Sequence, residues 1–260
     1  PPLDRHHSQQ FAVVGSKGDP DPLVDQDLAL LQRPGAAAGQ VRGAGRRHHP
    51  VRRARRAAGE PVAHIIGMRD FWTISLHVTP DTLIPRPDSE TLIEAAVDHF
   101  GARGPQTVLD LGTGSGCLVL ALLAELGNAR GLGIDISEAA LAVSRKNAHR
   151  LGLGDRVRFR YSDWGRNVSG LFDIVVANPP YVAEGEFAAL EPEVARFEPR
   201  LALSGGPDGL RCYRALAPWI GKVLAPHGRA FVEIGTGPAK AVSGIFREHG
   251  LDVAVVHNDL

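Results

Sequence analysis

The sequence predicts an α/β fold, a mostly parallel sheet with helices on both faces, behind a small N-terminal appendage. Three observations carry this. Apolar strand-length segments alternate with helix-length segments after Pro105. The first of these strands runs into a glycine-rich turn, Asp110-Leu111-Gly112-Thr113-Gly114-Ser115-Gly116. A later buried strand ends in Asn178-Pro179-Pro180-Tyr181, at the sheet edge where ligands bind in open α/β folds.

Residues 1–58 are read as the appendage, rich in Gly, Pro and His, with one helix expected at Leu23–Leu31. Seven arginines and no acidic residue lie between positions 40 and 58, a run read as a solvated segment, with an RNA contact as the alternative. Residues 59–104 form a linker and a first helix. Phe71–Val78 alternates like a hairpin, and Thr82–Asp88 carries two prolines and is not helical. Asp88 is expected to cap a helix that runs to about Phe100.

The main domain is 105–260. Strands are expected at Thr107–Leu111, Gly131–Ile134, Val157–Tyr161, Phe172–Ala177, Arg229–Ile234 and Leu251–Val256. Helices are expected at Cys117–Leu126, Glu138–Leu151 with Ser137 as N-cap, Arg211–Leu224 and Ala239–Glu248.

Composition excludes several classes. Lys+Arg and Asp+Glu are both 29, which disfavours a globally basic nucleic-acid binder. Two cysteines, Cys117 and Cys212, exclude a disulfide scaffold and a four-cysteine zinc site. The purely apolar run Cys117–Ala124 is far too short to span a bilayer. A cytoplasmic protein is expected, with no membrane partner and no metal.

Glycines at the strand-to-helix turn let the backbone turn sharply and let a ligand approach the main chain. Asp135 ends the second strand where a ribose would lie, and a carboxylate accepts from both hydroxyls of an unphosphorylated ribose. The spacing is G-x-G-x-G, with Cys117 where a dinucleotide fingerprint needs its last glycine. Asp110 before the loop suits the ammonium group of S-adenosylmethionine better than a pyrophosphate. Cys117 is read as a packing residue behind the loop rather than an activated thiol. Trp164 is read as a wall for adenine, with a core tryptophan as the alternative.

The two prolines after Asn178 remove N–H donors and stiffen an acceptor-rich loop. Such a loop beside a methyl donor can hold a planar NH₂ group, the Asn178 side-chain oxygen and the Pro179 carbonyl each taking one N–H. An amide nitrogen is a poor nucleophile, so in-line positioning and acceptors for the developing charge are what catalysis requires.

With their surroundings, these residues resemble the HemK/PrmC family, the release factor N5-glutamine methyltransferases, from about Arg56 to Leu260. The resemblance rests on Gly59–Gly67, Phe71-Trp72, Leu83-Ile84-Pro85-Arg86-Pro87-Asp88-Ser89-Glu90, the glycine loop, Asp135, Ser162-Asp163-Trp164 and Asn178–Tyr181. It also rests on Phe197-Glu198-Pro199-Arg200-Leu201-Ala202-Leu203 and Gly206–Leu210. It implies a class I S-adenosylmethionine-dependent methyltransferase acting on the Gly-Gly-Gln glutamine of class 1 peptide chain release factors. By position, the implied cofactor residues are Gly112, Thr113, Gly114, Ser115, Gly116, Asp135, Trp164 and Asn178. The implied catalytic and substrate residues are Asn178, Pro179, Pro180 and Tyr181. Arg86 is a candidate for substrate docking, with a salt bridge at the domain junction as the alternative reading.

The alternative activities are a DNA or RNA amino-methyltransferase, which would flip a base and need a basic surface, and an RNA- or ribosome-binding protein with a relict cofactor fold. Direct nucleic-acid binding is not expected. Class I sheets usually carry an antiparallel seventh strand between the fifth and sixth. Only His257-Asn258-Asp259-Leu260 follow Leu251–Val256, so a six-stranded sheet with an incomplete far edge is expected.

Overall fold

The computed structural model describes residues 10–16, 50–101 and 106–257. Its centre is a seven-stranded sheet. In chain order the strands are β1 (Gln10–Ser16), β4 (Thr107–Leu111), β5 (Arg130–Asp135), β6 (Val157–Tyr161), β7 (Phe172–Ala177), β10 (Leu224–Ile234) and β11 (Leu251–His257). They are ordered β11-β1-β10-β7-β4-β5-β6. β2 (Met68–Phe71) and β3 (Ile74–His77) make a hairpin, and β8 (Val182–Ala183) pairs with β9 (Ser204–Gly206).

The strands from β10 to β6 pair in parallel, as the alternating pattern predicts. The far edge departs from expectation. The sheet has seven strands, not six, and the seventh comes from the part of the chain read as an appendage. β1 lies antiparallel to both β10 and β11, with Phe11 opposite Glu233 and Val256, and Val13 opposite Phe231 and Ala254. Its residues alternate across the pleat. Ala12 and Val14 enter the core on one face with Leu216, Ile220, Phe246 and Leu251, while Phe11 enters the core on the other. Gly15 lies against the guanidinium of the buried Arg229, where a Cβ would stand 3.1 Å from Nη1. Residues 10–16 therefore belong to the main sheet. The helix expected at Leu23–Leu31 lies outside the described residues.

The helices are α1 (Pro50–Ala57), α2 (Val62–Ile66), α3 (Glu90–Phe100), α4 (Cys117–Glu125), α5 (Glu138–Arg150), α6 (Pro192–Phe197), α7 (Arg211–Val223) and α8 (Ala239–Glu248). α4 is apolar all round and buried from Leu118 to Leu123, as a helix held between a sheet and a second helix must be. α5 begins at Ser137, whose Oγ accepts from the Ala140 N–H at 3.2 Å. Among the described residues, no helix is long and apolar enough to cross a membrane. Two arginines of the basic run have specific partners: Arg55 pairs with Glu60, and Arg56 with Glu193 of α6.

Asp88 does not cap α3 by its side chain. Pro87–Ser89 form a 3₁₀ turn and the helix starts at Glu90, with no capping bond from Ser89. The Ser89 hydroxyl is engaged elsewhere, donating to the buried carboxylate of Glu233. The hairpin is tied to the sheet by Asn147 of α5. Its Oδ1 accepts from the His77 N–H at 2.7 Å, and its Nδ2 donates to the carbonyls of His77 at 3.0 Å and Ser115 at 2.9 Å.

Arg86 closes the junction between the proline-rich segment and the chain after α6. It donates to Glu198, whose side chain is 1% exposed and also accepts from the Ile84 N–H at 3.2 Å. Removing the cation strands a buried carboxylate. Arg86→Ala should therefore destabilise the fold by about 2 kcal/mol, discounted because the Arg86 side chain is itself one-third exposed. Denaturant unfolding checks this; an Arg86→Met/Glu198→Gln double variant should recover part of the loss.

Candidate active site

At the carboxyl ends of β4, β5 and β7 the sheet opens into a cavity of about 530 Å³, in the size range of a small-molecule site. Gly112, Thr113, Gly114 and Ser115 line it, with Asp135, Trp164, Asn178, Pro180 and Arg86. Gly116, Pro179 and Tyr181 do not. Gly116 starts α4 with φ 83°, and a Cβ there would stand 3.0 Å from Leu120 Cδ1. Pro179 is buried. The Tyr181 ring packs over Gly235, where a Cβ would stand 2.6 Å from Cδ2. The loop after β7 is anchored by the Val182 N–H, which donates to the Leu203 carbonyl at 2.9 Å.

The glycine loop is a cradle. Gly112 and Gly114 have φ of 79° and 54°, a left-handed conformation that side chains disfavour. Space beside Gly114 is open, and a Cβ on Gly112 would come 3.8 Å from the Trp164 ring. Trp164 itself holds φ 50°, lines the cavity and packs against the core cluster that contains Leu216 and Phe246.

Two carboxylates stand behind and beside the cradle. Asp135 Oδ2 accepts from the Gly114 N–H and Oδ1 from the Ser137 N–H, each at 2.9 Å. These bonds fix the carboxylate's plane while its remaining lone pairs are available to hydroxyl donors. Burial raises the pKa of Asp135 above the usual carboxylate range, against the pull of its backbone donors.

Asp110 is buried at the end of β4. Its Oδ2 accepts from Thr113 Oγ1 at 2.7 Å, and its Oδ1 has no hydrogen-bond partner. Burial pushes its pKa up to about 7, with the Thr113 hydrogen bond opposing. Burial, with Asp110 nearby, pushes the Cys117 thiol up to about 12, away from an activated thiolate, and Cys117 packs against the core.

The cavity also takes in residues to which the sequence motifs assigned no site role. Leu201 is 57% exposed at the cavity beside Pro199 and Ala202, all within the Phe197–Leu203 segment. Trp219 of α7 reaches it because Gly165 has no side chain; a Cβ there would stand 2.5 Å from Trp219 Cβ. Ser89 lines it and accepts from Asn178 Nδ2 at 3.0 Å. Among the described residues, no cluster of His, Cys, Asp and Glu is arranged to hold a metal.

A parallel sheet with an inserted antiparallel strand, a glycine cradle after the first parallel strand, a carboxylate after the second and an Asn-Pro-Pro-Tyr loop after the fourth define a class I S-adenosylmethionine-dependent methyltransferase. Comparison with known proteins agrees. Residues 89–196 match the family model described as the methyltransferase small domain. The chain is 50% identical over 207 residues to the release factor glutamine methyltransferase of Rhodospirillum rubrum, covering 80% of this chain and 63% of that protein. It is 49% identical over 197 residues to that of Caulobacter vibrioides (75% and 68%) and 41% identical over 250 residues to that of Agrobacterium fabrum (91% and 86%). The chain belongs to the release factor glutamine methyltransferase family.

Solved structures share the fold at low identity. The catalytic domain of human Mettl16, in complex with a hairpin of the MAT2A 3′UTR, matches with a TM-score of 0.55 at 18% identity, covering 67% of each chain. A methyltransferase from Pyrococcus furiosus matches with a TM-score of 0.51 at 16% identity, covering 82% of this chain and all of that one.

The cradle, the open space at Gly114 and the free lone pairs of Asp135 fit S-adenosylmethionine, whereas Asp110, expected to meet the ammonium group, is buried and does not line the cavity. Asp135→Ala should weaken its binding by roughly 1–3 kcal/mol, the worth of a charge-assisted hydrogen bond. Calorimetric titration checks this, and unchanged affinity would remove Asp135 from the site.

Proposed function

We propose that this chain methylates the side-chain nitrogen of the glutamine in the Gly-Gly-Gln motif of class 1 release factors, in the cytoplasm. The observation that carries the reading is the placement of Asn178 and Pro180 on one cavity with the glycine cradle and Asp135. When bound, S-adenosylmethionine supplies a methyl carbon made electrophilic by its sulfonium. Gly112, Thr113, Gly114, Ser115 and Asp135 hold the cofactor, and Trp164 covers its base.

We assign the two acceptors of the substrate amide to Asn178 Oδ1, on the cavity wall, and to the main-chain carbonyl of Pro179, a residue buried off that wall, each taking one N–H. This orients the nitrogen lone pair toward the methyl carbon and converts the transfer into a positioned, in-line event. As the N–C bond formed, the S–C bond of the sulfonium would break and its electron pair would leave with sulfur as a neutral thioether; the positive charge that grew on nitrogen would strengthen the same acceptors, and the nitrogen would then lose a proton to water. Pro180 stiffens the loop, and Tyr181, packed on Gly235, holds its far end. Leu201 and the Arg86 segment form the rim that the substrate loop meets.

The test is transfer of label from the cofactor to three candidates: a release factor, duplex DNA and ribosomal RNA. Label in the release factor alone is expected. Label in a nucleic acid but not in the release factor would replace this reading with a base amino-methyltransferase.

A further inference from the structure

Glu233 lies near the end of β10 and is 2% exposed. One carboxylate oxygen, Oε2, accepts from Ser89 Oγ, while Oε1 has no hydrogen-bond partner. Ser89 Oγ in turn accepts from Asn178 Nδ2 at 3.0 Å. The main chain of Glu233 is also fixed, because Tyr213 Oη donates to its carbonyl at 3.1 Å. Three elements distant in sequence thus meet: the turn before α3, the end of β7 and the end of β10.

The hydrogen-bond polarity of this chain is determined. A carboxylate only accepts, so the Ser89 proton points at Glu233. The Ser89 lone pairs then face Asn178 and can take only a donor, so the NH₂ end of the Asn178 amide is the end held at Ser89. We infer that Glu233, acting through the Ser89 hydroxyl, is a positioning residue that sets the rotation of the Asn178 amide so that its Oδ1, and not its NH₂, is presented to the substrate. The inference rests on the proposed role of Asn178 as an acceptor for the glutamine amide. With the amide turned over, an N–H would face the substrate N–H, and the acceptor would be lost.

Protonation reverses the chain. A neutral Glu233 can donate to Ser89, releasing the Ser89 proton to Asn178 Oδ1 and withdrawing that oxygen from the cavity. Burial pushes the Glu233 pKa up to about 7, and nearby Asp88 adds to the rise, while hydrogen bonding from Ser89, the neighbouring Asn178 amide and the charge of Arg86 oppose it. Cys117 of α4 and Tyr213 of α7 also face it, and burial keeps both in their neutral forms around pH 7. Methyl transfer should therefore fall as pH drops through about 7, as the carboxylate takes up its proton.

The test compares wild type, Ser89→Ala, Ser89→Thr and Glu233→Gln. Ser89→Ala and Glu233→Gln should each lower kcat by about 10- to 100-fold, with the cofactor Kd within about twofold of wild type. Ser89→Thr, which keeps the hydroxyl, should recover most of the rate lost in Ser89→Ala. The fall in kcat below pH 7 should be absent in Glu233→Gln. In cofactor-free protein, the Asn178 side-chain NH₂ resonances should shift with pH near 7 in wild type and stay fixed in Glu233→Gln. Folded variants with wild-type kcat and pH profile, or NH₂ resonances that ignore both pH and the Glu233 substitution, would overturn the inference. If Glu233→Gln does not fold, the Ser89 pair and the wild-type resonances decide. A wild-type protein that methylates no release factor would refute the proposed function instead, and the resonance titration would still judge the positioning role.

Discussion

Asn178→Ala should reduce methyl transfer to release factor by about 10²–10³ in kcat while leaving the fold in place. The half-buried side chain follows β7, lines the cavity and donates to Ser89 Oγ. Its loss removes little core volume and costs about 1 kcal/mol, a fall of roughly 2–4 °C in Tm for a chain of this size. What it removes is the acceptor that strengthens as the substrate nitrogen gains charge, and the Pro179 carbonyl alone cannot hold both N–H groups. Single-turnover rates with saturating cofactor isolate this step from cofactor binding. A variant with near-normal turnover would take Asn178 out of the mechanism.

The second large effect concerns stability. Val14→Asp should destabilise the fold by about 4 kcal/mol or more, lowering Tm by roughly 10 °C. Val14 is fully buried, and β1 lies between β10 and β11, pairing with both. A carboxylate there has no partner in the apolar cluster of Leu216, Phe246 and Leu251. Expelling β1 instead would leave unpaired backbone groups on both β10 and β11. The cofactor cradle and Asn178 lie on β4, β5 and β7, so cofactor affinity per folded molecule should change little. As a control, Arg53→Ala on the exposed face of α1 should stay within about 0.5 kcal/mol. Thermal unfolding of the two variants side by side checks both numbers, and a stable Val14→Asp protein would mean that β1 is dispensable to the sheet.

The contrast between these sites shows what the chain's text conveys and what it withholds. β4 to β7 and the helices between them are legible because their apolar runs are bounded by Gly, Pro and polar residues at short spacing. The glycine cradle and Asn178 are legible because local backbone chemistry dictates their residue types. β1 is not, although Gln10–Ser16 is a short apolar stretch, because it stands in a Gly-, Pro- and His-rich region and its strand partners lie more than 200 residues away in sequence. Its antiparallel place between β10 and β11 is decided by pairing, not by local propensity. Ser89 looked like part of a helix start. Its hydroxyl instead serves a carboxylate 144 residues further along the chain, a choice that no local pattern encodes. Arg86 could be read two ways, and its bond to Glu198 places it at the domain junction on the rim of the cavity.

The most direct measurement is the position of the transferred methyl group. Release factor treated with this protein and S-adenosylmethionine should be digested and sequenced by tandem mass spectrometry, with the Asn178→Ala protein run in parallel. One added methyl is expected on the side chain of the Gly-Gly-Gln glutamine, formed by the wild type and almost absent with the variant. A methyl on another residue, or an unmodified Gly-Gly-Gln peptide from active, cofactor-bound protein, would contradict it.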